Sequence, residues 1–222
     1  MKFFDDKMKN VRWWNRNFFF LATILIIGIN FALFYFMGVE WSARPELIAW
    51  DEMFNFSNLI NNFFSVFDHF NFNHLLLNMI CFLVVGIFFE RKYGSVNLIL
   101  MTLLFAFVGK NIVGANHFGG WSIGFSIVNY AFYGFILIDF IFMFRRETRS
   151  VPNIIWGIFM IIFMYVSMAY NGGTIYPFDL KLSIYPVDLM YNLGHYTSLL
   201  AGVILGLTLK IHHLEVFHGR DN

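Results

Sequence analysis

The chain has 222 residues, of which 59% are hydrophobic, 21% aromatic and only 13% charged, against roughly 25% charged in soluble domains. With 31 phenylalanines and a mean hydropathy of +0.63, the apolar content exceeds what one soluble core can hold and excludes an ordinary water-soluble protein. The net charge of +1 says nothing about partners, and no nucleic-acid partner is expected; the single cysteine, Cys81, excludes an internal disulfide and reads as a packing residue.

The apolar residues fall into blocks of about 15 to 24, near the length of a bilayer-crossing helix. Lipid cannot satisfy backbone N–H and C=O groups, so these blocks are expected to be helices. Six candidate spans follow in order: 18–38, 74–89, 96–113, 121–144, 154–170 and 195–209. The first follows a basic N-terminus, but its apolar run is longer than a signal-peptide core and no small-x-small cleavage site follows it; it reads as a retained span. Several spans are short, which predicts little tilt or a locally thinned bilayer. Basic residues cluster before span one (Lys2, Lys7, Lys9, Arg12, Arg16), between spans two and three (Arg91, Lys92), between four and five (Arg145, Arg146, Arg149) and after six (Lys210, Arg220). Only Arg44, Lys110 and Lys181 fall on the other side, which places both termini in the cytoplasm and runs spans two, four and six inward.

A single membrane domain over 1–222 is expected, with cytoplasmic tails at 1–17 and 210–222. The outer segment 39–73 mixes aromatic residues such as Trp41, Trp50, Phe56 and Phe63 with Asn. Such composition predicts short amphipathic helices in the headgroup region, a plain extracellular loop being the alternative. The second outer segment, 171–194, carries two Tyr-Pro steps and reads as a loop.

Polar residues sit where the inward-running spans begin. His74 and Asn78 open span two, Ser126 falls about five residues into span four, and His195 opens span six. At 1.5 Å per residue Ser126 would lie roughly 8 Å below the start of its helix, a depth at which polar side chains face a bundle interior or a water-filled cavity. A serine with a neutral histidine in reach can act as a nucleophile. An asparagine amide, a histidine N–H and backbone N–H groups at a helix N-terminus can hold the oxyanion that forms. No acid is placed as a third member, since Asp139 lies more than three turns further along span four and Asp188 is in a loop, so a Ser-His dyad is the economical reading. Tyr130, four residues after Ser126, shares its helix face and can stack on the histidine. Each residue also has a plain structural role: Ser126 bonding a carbonyl one turn back, His195 at a helix start, Asn78 in an interhelical hydrogen bond. Gly86, Gly94, Gly124, Gly202 and Gly206 read as close-packing positions.

The motifs together resemble those of the rhomboid intramembrane serine proteases in their minimal six-helix form. "HFNFNHLLLNM" (69–79) is similar to the family's H-x3-N element, "GIFFERKYG" (86–94) to its G-x3-E-x3-G element, "GFS" (124–126) to the first part of its G-x-S-G nucleophile motif, and "GHYTSLLAGVILG" (194–206) to its last-helix motif. The resemblance runs from about Phe67 to Leu209. It implies a six-helix all-α membrane bundle, Ser126 as nucleophile and His195 as general base. His74, Asn78 and the Ser126 N–H would form the oxyanion site, supported by Gly124, with Tyr130 packed on His195. It implies no cofactor or metal, and substrates that are single transmembrane segments of other proteins in the bilayer.

Two positions depart from the pattern. The family's glycine after the serine is Ile127, and the first small residue after the histidine is Ser198. In the family these glycines let the fourth and sixth helices approach, so a branched side chain there can separate serine from histidine at a cost of about a hundredfold in rate. The alternative function is therefore a degenerate rhomboid-like protein that binds transmembrane segments without cleaving them. A transporter or channel fits less well, because the polar cluster lies at one side and no inverted repeat is visible. The run "HHLEVFH" (212–218) lacks the H-E-x-x-H arrangement of a metal site and reads as a solvated tail.

Overall fold

A computed structural model describes residues 20–37, 55–69, 71–111, 124–145, 151–171, 174–175 and 194–209. The two tails, residues 39–54 and 70 of the first outer segment, most of the second outer segment and the start expected for span four lie outside them. Seven helices follow in order among the described residues: α1 Leu21–Met37, α2 Phe56–Phe64, α3 Phe72–Tyr93, α4 Ser95–Asn111, α5 Ser126–Arg145, α6 Val151–Ala169 and α7 Gly194–Leu209. The bundle is all-α, as expected, and only the end of one span shifts. After α6 the two-residue strands Tyr170–Asn171 and Thr174–Ile175 pair antiparallel, so Tyr170 leaves the helix it was expected to end.

By length and composition, α3 is apolar and long enough to cross a bilayer, and five other apolar helices of 10–17 residues accompany it. The short helix α2 falls where amphipathic interfacial helices were expected. Asn55 caps it by accepting from the Ser57 N–H at 3.1 Å. Phe56, Ile60 and Phe64, four residues apart, are exposed on one face, while Phe63 packs against the core. The Asn111 amide of α4 donates to the Leu59 carbonyl of α2 at 3.3 Å.

Phenylalanines of α3, α4 and α5 build the centre of the bundle. Phe105 and Phe89 each meet Phe132 edge-on with centroids 5.0 Å apart, and Phe82 meets Phe125 at 4.9 Å. Lipid is as apolar as these side chains, so burial does not drive their association, and close packing and internal hydrogen bonds must hold the helices together. Glycines provide that closeness. A Cβ on Gly202 would fall 1.8 Å from the Ala131 carbonyl oxygen, and one on Gly134 2.0 Å from the Leu199 carbonyl oxygen, so α5 and α7 touch backbone to backbone. Gly206 receives Ile138, and Gly86 of α3 receives Thr23 of α1, whose side chain would lie 2.8 Å from an added Cβ.

Gly94 does not pack closely as expected. Nothing lies within 4 Å of its missing side chain; it is glycine because φ is +90 where α3 ends. Four residues earlier, buried Glu90 accepts from the Ala22 and Thr23 N–H groups at 3.0 and 2.9 Å, and from the Thr23 and Ser95 hydroxyls at 2.6 Å each. One carboxylate thus caps the first turn of α1 and ties in the start of α4.

Candidate active site

At the opposite end of α3, the chain enters α5 through Gly124, whose φ of +103 suits glycine. Helical hydrogen bonding starts from the Phe125 carbonyl, which accepts from Val128 and Asn129 at 3.1 and 3.2 Å. Ser126 is therefore the first residue of α5, not one and a half turns into it. The physical reason is Gly124, which breaks any helix arriving from residue 121. Because of that break, the Ser126 N–H belongs to the four amides without an intrahelical partner.

His195 is the second residue of α7, and its Nε2 lies 2.8 Å from Ser126 Oγ. One turn along α5, the Tyr130 ring stacks on the His195 imidazole with centroids 4.4 Å apart and planes at 24°. Stacking fixes the plane of the imidazole and leaves its edge directed at the serine. Asp139 lies 13 residues beyond Ser126, about 20 Å along the helix; it is engaged there by Lys92 and by the Tyr93 hydroxyl at 2.7 Å.

His74 and Asn78 occupy the first two turns of α3, one turn apart on one face. Asn71 caps this helix by accepting from the His74 N–H at 2.9 Å. Both side chains face Gly124, where an added Cβ would lie 2.7 Å from His74 Cε1 and 3.3 Å from Asn78 Nδ2. The buried Asn78 amide nitrogen has no hydrogen-bond partner among the described residues. The main-chain carbonyl of Asn78 accepts from Asn129 Nδ2 at 3.0 Å and thereby joins α3 to α5. The structure thus brings together Ser126, His195, Tyr130, His74, Asn78 and Gly124.

Four residues near this group, His69, Asp68, Lys110 and Asn111, carried no site role in the sequence. Buried His69 lies edge-on to His74 at 5.2 Å. Its Nδ1 meets the Phe67 carbonyl at 2.9 Å, and its Nε2 lies 3.5 Å from the Phe125 N–H. With Nδ1–H donating, Nε2 is the acceptor for Phe125 and steadies the turn that delivers Ser126. Burial, then His74, holds the His69 pKa down to about 4, with Lys110 adding to the effect and the Phe67 carbonyl opposing it. Nearby, burial pushes the Asp68 carboxyl up while the buried Lys110 ammonium draws it down. Of the two residues at the end of α4 without a role in the sequence reading, Asn111 ties the helix to α2 and the Lys110 charge acts on Asp68. The spacing of His69 and His74 gave no hint, because Asn71 starts a new helix between them.

Ile127 is buried to 1% exposure and points at α4, where a Cβ on Gly109 would lie 2.1 Å from its Cγ2. The branched side chain, which at this contact can hold α5 and α7 apart, fills a notch on a third helix instead.

The family model for the Rhomboid domain matches residues 57–211, more than two thirds of the chain. A comparison with curated proteins returns no match. With its helical bundle and this domain match, the protein is an integral membrane protein, and the chain belongs to the rhomboid family, whose members include intramembrane proteases.

Proposed function

We propose that this rhomboid protein is an active serine endopeptidase that hydrolyses peptide bonds in or near transmembrane segments of other membrane proteins. The observation that carries the reading is the 2.8 Å contact between Ser126 Oγ and His195 Nε2. His195 takes the Ser126 proton as Oγ attacks the scissile carbonyl carbon. The resulting oxyanion sits at the first turn of α5, where the Ser126 N–H, the free Asn78 amide and His74 are its donors. Collapse expels the amine, which receives the proton from His195, and a water molecule activated by the same histidine then releases the acyl group from Ser126. Tyr130 holds the imidazole plane, and Gly124 lets His74 and Asn78 approach.

The apolar helices α1 and α3 to α7 cross a bacterial plasma membrane in this reading, with the termini cytoplasmic and the dyad near the outer face. The non-catalytic alternative rests on Ile127. That side chain lies in the Gly109 notch while serine and histidine remain in contact, which supports cleavage. The test is hydrolysis of a model transmembrane substrate in proteoliposomes: wild type cleaves and Ser126→Ala does not, whereas equal cleavage by both defeats the proposal.

A further inference from the structure

Gly109, on α4, bears none of the groups that do chemistry, yet both dyad helices converge on it. From α5 comes Ile127, directly after the serine; from α7 comes Ser198, one turn after the histidine. A Cβ at Gly109 would lie 2.1 Å from Ile127 Cγ2 and 3.2 Å from Ser198 Oγ. Ile127 and Ser198 are each 1% exposed, and Ser198 Oγ has no hydrogen-bond partner among the described residues. One turn further along, α5 and α7 are in backbone contact at Ala131 and Gly202. An isoleucine in a helix is held to one main χ1 rotamer, so it cannot fold away from an obstacle without moving its own backbone.

We infer that Gly109 is the positioning residue for the dyad: the notch it leaves on α4 admits Ile127 and so lets Ser126 sit within hydrogen-bond reach of His195. Where the family pattern has a glycine after the serine, this chain places the missing volume on the neighbouring helix. The inference rests on the protease reading but concerns a different residue and a different measurement. Adding one methyl at 109 pushes the first turn of α5 and, through Ser198, the first turn of α7. Serine and histidine then part, while the surface that receives a substrate is unchanged.

The test uses Gly109→Ala, Ile127→Ala and the double variant in the full chain, read by labelling of Ser126 with a fluorophosphonate, by kcat and KM on a model transmembrane substrate, and by thermal unfolding in micelles. Gly109→Ala is expected to lower the labelling rate and kcat by about a hundredfold, with KM changed less than threefold. The double variant, which removes the colliding methyl, is expected to recover to within about tenfold of wild type. That complementary rescue separates positioning from general damage, since two independent packing defects would add. Equal labelling of wild type and Gly109→Ala overturns the positioning role alone, as does a double variant no better than Gly109→Ala. A wild type that takes no label overturns the hydrolase reading and the positioning role with it, and the unfolding data then report whether 109 and 127 are coupled at all.

Discussion

Removing the Glu90 carboxylate should loosen the end of the bundle remote from Ser126 without altering the chemistry. The buried side chain accepts four hydrogen bonds, two from the N–H groups of Ala22 and Thr23 and two from the hydroxyls of Thr23 and Ser95. The hydroxyls can rotate toward carbonyls of their own helices, so their loss is largely recovered. The amides cannot: they belong to the first turn of α1, which has no acidic residue of its own, and an unsatisfied buried donor costs about 1 to 3 kcal/mol. Two of them give about 2 to 6 kcal/mol for Glu90→Ala. Glu90→Gln keeps one carbonyl acceptor but turns an NH2 toward donors, and should cost roughly half as much. Equilibrium unfolding in mixed micelles, followed by circular dichroism, measures both variants. The folded fraction should keep the wild-type kcat, because Glu90 lies 16 residues after His74 on α3, about 24 Å along the helix from the dyad end. An alanine variant within about 0.5 kcal/mol of wild type would refute the argument that this carboxylate caps α1.

Two further outcomes concern the site. Asn78→Ala removes the free amide but keeps the main-chain carbonyl that Asn129 uses; kcat on the model substrate should fall about a hundredfold with little change in unfolding midpoint, and an unchanged kcat would remove Asn78 from the oxyanion site. For His69, the ordinary value of 6.5 applies to the unfolded chain and about 4 to the folded one. Above pH 6.5 both states are neutral and the stability is complete; as pH falls from 6.5 to 4 the unfolded chain alone takes the proton, and about 3 kcal/mol is lost. His69→Gln should therefore lose less in melting temperature between pH 7 and 4.5 than wild type does, and identical losses would exclude the buried neutral ring as the cause.

Much of the candidate site was legible because polar groups are costly in lipid. Ser126, His195, His74 and Asn78 stood out against apolar runs, and their sequence order on alternate spans brought them to one end of a bundle. The exact start of α5 was not legible. Apolar character continues upstream of Ser126, and hydropathy cannot register that Gly124 adopts a positive φ which ends the helix there. Gly94 misled in the opposite sense, since a glycine used for its backbone angle reads like one used for close packing.

By itself the sequence determined the membrane setting, the helical runs and the residues able to do chemistry, because hydropathy and residue type are properties of single positions. Tertiary structure decided what those positions meet. The carboxylate that caps α1 comes from Glu90, some seventy residues away; the turn before Ser126 leans on His69; and the volume of Ile127 is matched by a vacancy at Gly109 on another helix. Complementarity of this kind belongs to pairs distant in sequence, so a departure that looks damaging along the chain is absorbed where the helices touch.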